Sequence, residues 1–265
     1  MFDLAADLKA ACTTGDMPLA KSHHIHLVSA GPLIKTPALS KMATVVAKNA
    51  HPAILSFCFS EGLVIDPEHV NDPLIYAACD SGSIPIFRVL LDNGVEVNNY
   101  LELGGDPLVS ACYHGNVELA TFLLDQGAGP NSNHALGCYI SLIWPNVGDK
   151  ASLDLPRLLL ERGAVVKREG ALIAAAEHGN LGAIELLLGN GDVDLEEVVE
   201  YRDYDSRKLN DQRTALYKAA TNGDGDTVDF FPKKGADAGF RDRKGRSVAD
   251  MAEERGHRDT ARKLR

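Results

Sequence analysis

The chain lacks most of what marks a secreted, metal-bound or membrane protein. Its five cysteines, Cys12, Cys58, Cys79, Cys112 and Cys138, are odd in number and contain no C-x-x-C pair. That argues against a disulfide framework and a zinc module. No run approaches 18 apolar residues, so no membrane span is expected. The N-terminus, MFDLAADLKAACTTGD, has neither the basic start nor the continuous apolar run of a signal peptide. Cytosol, or nucleus by diffusion, is the expected compartment. No G-x-G-x-x-G opens a helix after a strand, and no Walker loop or G-x-S-x-G is present. Aromatics are only 6% of the 265 residues, while Ala, Leu and Gly are plentiful. That composition favours helices packed through small residues.

Basic charge is scarce over most of the chain. The formal net charge is -10, a poor fit to nucleic-acid binding, which needs a basic face. Residues 233–265 differ, with 11 Lys and Arg against 6 Asp and Glu. A solvated charged cap is the simpler reading of that end, and a basic contact patch the alternative.

What the chain has in abundance is a recurring stretch. In YHGNVELATFLLDQGA, Gly115 has companions at Gly15, Gly82, Gly179, Gly223 and Gly256, with Ala50 and Ala151 in the same role. Two of the steps, Gly82 to Gly115 and Gly223 to Gly256, are 33 residues. From Ala50 to Gly223, a second Gly follows each anchor by 12 residues: Gly62, Gly94, Gly127, Gly163, Gly191 and Gly235. A period of this size is the mark of a stacked repeat rather than a catalytic constellation.

Each copy predicts the same unit. A run ending in small residues, such as LIYAAC, LIAAA or LYKAA, lets two helices approach closely. The anchor Gly can end that helix in a left-handed conformation. Asp16, Ser83, Asn116, Ser152, Asn180 and Asp224 follow as helix N-caps, and Pro52 follows His51. An apolar-periodic helix then runs to the second Gly.

TALYKAATNGD (214–224), DPLVSACYHGN (106–116) and GALIAAAEHGN (170–180) resemble the first helix of an ankyrin repeat. GVEVN (94–98), GAGPN (127–131) and GADAG (235–239) are similar to that family's loop signature. The resemblance implies an all-α ankyrin-repeat solenoid of about eight helix-turn-helix units with short finger loops. One array would span 1–265, with a cap repeat at 1–30, internal repeats over 38–240 and a cap repeat at 246–265. The internal units would run about 38–66, 72–99, 106–131, 134–167, 170–195 and 213–240.

The resemblance also implies a non-enzymatic adaptor that grips a protein partner in a concave groove, with no cofactor. The groove residues would be Asp80, Ser81, Tyr113, His114, Glu177, His178, Thr221 and Asn222, with Tyr100, Glu102 and Arg213 from the fingers. Tyr113 and Tyr100 are the expected anchors, because aromatics dominate interface energy. The acidic bias favours a basic partner. The oligomeric state is not fixed by the sequence.

The pattern breaks in three places. Gly179 to Gly223 is 44 residues, an insertion within 194–211 that carries Tyr201 and Tyr204. It reads as a partner contact or as a solvated, mobile loop. The region 134–170 is irregular around Trp144 and Pro145, and could enclose a small-molecule or enzymatic pocket as the alternative function. In FFPKKGA, Pro232 sits where other copies have Leu, which predicts a short or kinked helix. Finally, KSHHIH places His23, His24 and His26 close together, with His51 a possible neighbour. A partly exposed cap face is expected there, with metal binding as the sharper alternative.

Overall fold

A computed structural model describes residues 6–28, 32–65, 72–99, 105–132, 135–136, 152–167, 170–191, 193–202, 209–242 and 244–265. The side chains of residues 26–28, 32–35, 199–202 and 209–213 are not described. The chain falls into two compact units, 1–133 and 134–265. Fifteen helices lie among the described residues.

The first unit holds four helix pairs: α1 (Ala6–Thr14) with α2 (Met17–Val28), α3 (Pro32–Lys48) with α4 (Pro52–Ser60), α5 (Pro73–Ser81) with α6 (Ile84–Asp92), and α7 (Pro107–Tyr113) with α8 (Val117–Asp125). The second unit holds α9 (Asp154–Glu161), α10 (Ala171–Glu177) with α11 (Leu181–Gly189), α12 (Ala215–Asn222) with α13 (Gly225–Lys233), and α14 (Val248–Glu254) with α15 (Arg258–Lys263). First helices pack on first helices: α3 on α5, α5 on α7, α10 on α12 and α12 on α14. Small buried residues allow it, with Ala77 and Ala78 in α5, Ala174 to Ala176 in α10, and Ala219 and Ala220 in α12. Outer helices contribute larger groups to the same core, such as Phe87, Leu90, Leu123, Leu187 and Phe231.

The turn inside each pair follows from one backbone requirement. Gly223 ends α12 at φ 76°, a conformation L-residues avoid. The anchors Gly15, Gly82, Gly115, Gly179 and Gly256 share the sign. Ala50 occupies the same place at φ 57° and is the one non-Gly residue with positive φ among the described residues. Left-handed backbone costs an L-residue about 1–2 kcal/mol, and glycine's freer unfolded chain gives back part of that. Ala50→Gly should therefore stabilise the protein by about 0.5–1 kcal/mol, read from the urea midpoint.

The caps follow the sequence reading in most repeats. Asn116 Oδ1 accepts from Leu119 N at 3.0 Å, Asn180 Oδ1 from Ala183 N at 2.9 Å, and Asp16 Oδ1 from Leu19 N at 3.0 Å. Asp224 accepts from the backbone of Asp226 and Thr227. Ser83 is a correction, because its side chain makes no cap bond to α6. Its own N–H instead donates to Ser81 Oγ at 3.3 Å. Ser152 lies one residue outside the cap at Leu153 and accepts from Asp154 N. First helices are capped too, by Asp72, Asp106, Thr214 and Ser247, the last in a reciprocal capping box with Asp250.

Two further expectations are corrected. α13 is not short: it has nine residues, as α8 does. Pro232 is its second-last residue, so the missing N–H removes only one bond at the very end. Lys234 and Gly235 still donate to Phe231 O and Pro232 O. The insertion is not simply a loop. Its arms form an antiparallel pair, β1 (Val199–Arg202) with β2 (Leu209–Arg213), with a register shift between Val199 and Tyr201. Trp144, Pro145 and the rest of 137–151 lie outside the described residues.

Candidate functional site

The residues that end the first helices are placed by the anchor turn. Asp80 and Ser81 close α5, Tyr113 and His114 close α7, Glu177 and His178 close α10, and Thr221 and Asn222 close α12. Tyr100, Glu102 and Tyr204 lie outside the described residues. The backbones of Tyr201 and Arg213 lie in β1 and β2, opposite Asn210 and Val199.

In the first unit these positions border a cleft of about 320 Å³ between the ends of α5 and α7. Its wall includes Asp80, Ser81 and His114, and its floor Cys79, Ala111 and Leu119. Asp80 is exposed. Ser81 Oγ is spent locally, donating to Ala78 O at 2.8 Å. His114 Nδ1 lies 2.9 Å from Ser110 O. A carbonyl only accepts, so Nδ1 carries the proton there and Nε2 is the acceptor of the neutral ring. Tyr113 meets that ring edge-on at 5.3 Å and is 56% exposed. Burial pushes the Cys79 thiol up to about 12; a hydrogen bond with Ser110 opposes the rise, and Asp80 and Asp106 add to it. The floor is thus a neutral thiol with no nucleophilic character.

The corresponding positions of the second unit hold one another. Lys218, missed in the sequence inside the small-residue run LYKAA, is 6% exposed in α12. Its Nζ lies 2.5 Å from Glu177 Oε1. Asn222 Nδ2 donates to Glu177 O, and Thr221 Oγ1 to Lys218 O at 3.0 Å. Glu177 is half-buried, so water shares its charge and the pair is worth less than a fully buried one. Glu177→Ala should cost about 1–2 kcal/mol by taking a carboxylate away from a buried ammonium, whereas Lys218→Met should change stability by less than about 1 kcal/mol. Urea denaturation of both variants checks the difference.

The fingers are tied by side chains that bond to neighbouring backbone. Asn98, of the GVEVN loop, accepts from Gly129 N at 3.0 Å and donates to Gly127 O at 3.4 Å. Glu197 Oε1 accepts from Gly170 N at 3.0 Å, and Glu196 Oε1 from Asp237 N at 2.7 Å. The base of the insertion is therefore pinned to the finger before it and the finger after it. At the last finger, Asp242 is buried and accepts from Lys244 N, Arg246 N and the Arg246 guanidinium. Burial alone would raise its pKa, but the bonds and charge of Arg246 and the Lys244 N–H hold it below the usual carboxylate value. Basic side chains at this end are partly neutralised: Arg262 pairs with Asp259, Lys263 with Asp229 and Arg265 with Glu253.

The histidine stretch lies on a partly exposed face, as expected, except at one residue. His24 is buried, with Nε2 3.3 Å from Glu61 Oε2 and its ring edge-on to Phe57 at 5.4 Å. His23 is half-buried, the His26 side chain is outside the described residues, and His51 Nε2 is engaged with Thr13 O at 2.8 Å. Among the described residues no three His, Cys, Asp or Glu side chains gather as a metal site requires. No described helix is long and apolar enough to cross a membrane.

The profile for ankyrin repeats, in three copies, matches residues 43–134 and 172–265, more than two thirds of the chain. An ankyrin repeat and KH domain-containing protein of Caenorhabditis briggsae is 29% identical over 203 residues, 73% of this chain and 7% of that protein. An ankyrin repeat, SAM and basic leucine zipper domain-containing protein of Ornithorhynchus anatinus is 29% identical over 126 residues, 45% of this chain and 27% of that protein. The chain thus spans only a small part of these relatives. Among solved structures, the human ASB11 ankyrin repeat domain superposes with a TM-score of 0.61 at 19% identity, covering 84% of this chain and 97% of that one. A chain from the complex of the predatory endopeptidase Bd0816 of Bdellovibrio bacteriovorus with the immunity protein Bd3460 gives 0.55 at 24% identity, covering 74% and 98%.

Proposed function

This chain belongs to the ankyrin-repeat family, and from that premise we propose that it is a non-enzymatic adaptor that grips a basic protein partner. Ankyrin repeats generally mediate protein–protein interaction. The proposed contact in the first unit is the rim formed by Asp80, Ser81, Tyr113 and His114, with Tyr100 and Glu102 from the finger. In the second unit it is the row Glu177, His178, Thr221 and Asn222, with Tyr201, Tyr204 and Arg213 from the insertion. Cytosol or nucleus is the proposed compartment.

The observation that carries this reading is Tyr113. It is the one aromatic among the large apolar side chains exposed in the described residues. It stands at the end of a helix whose other apolar residues are buried. Exposed tyrosine beside a cleft is the composition of an interface anchor. The alternative, a small-molecule site or enzyme near 134–170, is not favoured. The described cleft there, about 370 Å³, is lined by Arg157, Leu160, Glu161, Glu185, Leu186, Gly189 and Asn190, with no His or Asp converging on it. Capture of partners from the source cell, with the Tyr113→Ala/Tyr100→Ala chain as matched control, tests the proposal. A partner lost with the double variant supports it, and a set of partners identical for both chains counts against it.

A further inference from the structure

The cleft between α5 and α7 has a chemistry of its own. Its rim offers acceptors: the Asp80 carboxylate and, in the neutral ring, His114 Nε2. Two nearby donors are already engaged. Asn116 Nδ2 gives one of its two hydrogens to Gly82 O at 3.3 Å, and Ser81 Oγ gives its own to Ala78 O. The floor of Cys79, Ala111 and Leu119 is apolar and uncharged. Such a site takes a long aliphatic stem that ends in a multi-donor cation.

The two repeats that form the cleft are poor in cations, and the Lys48 that ends α3 makes no ion pair with Asp80. Residues 66–133 contain ten Asp and Glu, no Lys and one Arg. That residue, Arg88, lies over the Phe122 ring at 5.1 Å. Asp80 has no ion-pair partner among the described residues. It also sits in the last turn of α5, where the helix carbonyls make a negative charge unfavourable. The Asp80 carboxylate, unlike Glu177 at the same place in α10, is left to a donor from outside the fold.

We infer that the α5–α7 cleft, with Asp80 and His114 at its rim and Tyr113 beside it, receives an arginine side chain from a partner protein. The planar guanidinium presents five donors in a fork that matches a carboxylate, and its face stacks on an aromatic ring. The Asp80 carboxylate takes the fork, His114 Nε2 takes a remaining N–H, and the exposed Tyr113 ring covers the plane. A lysine ammonium has the charge but not the plane or the fork. This inference rests on the proposed partner-binding role and names the chemistry of its anchor.

The test is an NMR titration of the full chain with N-acetyl-arginine N-methylamide, beside its lysine and citrulline counterparts. The arginine compound should give saturable amide shifts confined to 79–82 and 111–116. The lysine compound should bind at least about fivefold more weakly, and the uncharged citrulline compound should give no saturable shift. Asp80→Asn should abolish the arginine response while leaving the melting temperature unchanged or slightly higher, since it removes the unfavourable helix-end charge. Equal binding of lysine or citrulline, or an undiminished response in Asp80→Asn, would overturn the assignment. If the captured partner is still lost with Tyr113→Ala/Tyr100→Ala but no arginine response exists, the inference fails and the wider adaptor reading stands.

Discussion

Replacing Gly223 by Ala should cost about 2–3 kcal/mol. Two effects combine. The residue sits at φ 76°, where an L-residue costs about 1–2 kcal/mol, offset by about 0.4–1 kcal/mol from a stiffer unfolded chain. A Cβ there would also run into the His257 imidazole of the next repeat, and overpacking costs about 1–3 kcal/mol. Gly256 separates the two effects. It has φ 91° and nothing within 4 Å of its added Cβ, so Gly256→Ala should cost only about 1 kcal/mol. Urea denaturation of both variants, and of Gly223→Ala with His257→Ala, reads the steric part directly. The double variant should recover about half of the loss; a loss as large as that of Gly223→Ala alone would show that His257 is not what the methyl group meets.

The contact is not peculiar to Gly223. An added Cβ on Gly15 would lie 2.7 Å from His51 Nδ1, on Gly82 2.8 Å from Asn116 Nδ2, and on Gly179 against Asp224 Oδ2. In each case the residue after one anchor lies on the preceding anchor glycine. At these four positions the glycine has two duties, a left-handed turn and an open seat for the residue that opens the next repeat's outer helix. Ala50 fits the rule from the other side. By repeat register the residue after the next anchor is Ser83, a small residue that forms no side-chain cap bond.

Tyr113→Ala with Tyr100→Ala should weaken partner binding by tenfold or more and move the melting temperature by less than about 2 °C. Truncating an anchor aromatic typically costs an interface about 2 kcal/mol or more, and tenfold is about 1.4 kcal/mol. The Tyr113 ring is more than half exposed and packs edge-on against His114, so little folding energy depends on it. Glu118→Ala, an exposed change on α8, is the control and should leave affinity within about threefold. Affinity measured by titration calorimetry, with melting curves of the same samples, decides between an anchor and a merely exposed ring.

Much of this architecture was legible because the physics repeats. A glycine followed by Asn or Asp and then an apolar helix fixes a turn and a cap locally, and Gly115–Asn116 and Gly179–Asn180 behave as that pattern requires. What was not legible depended on neighbours one repeat away. Nothing local says that Asn116 also bonds to Gly82 O, or that Glu196 reaches the next finger. Lys218 stands in the small-residue run LYKAA, and nothing local marks its partner Glu177, 41 positions earlier. The hairpin was hidden by charge, although Val198, Val199 and Tyr201 are residues that favour strands. His24 was misread because its partner Glu61 lies 37 residues away.

The most direct measurement is photo-crosslinking in the source cell, with a benzoyl-phenylalanine placed at position 113 and, separately, at position 118. An aromatic photoprobe at 113 preserves the shape of the anchor, while 118 reports the outer helix. The account predicts a covalent partner adduct from 113 and none from 118. An adduct from 118 with none from 113 would contradict it and move the interaction surface away from the ends of the first helices.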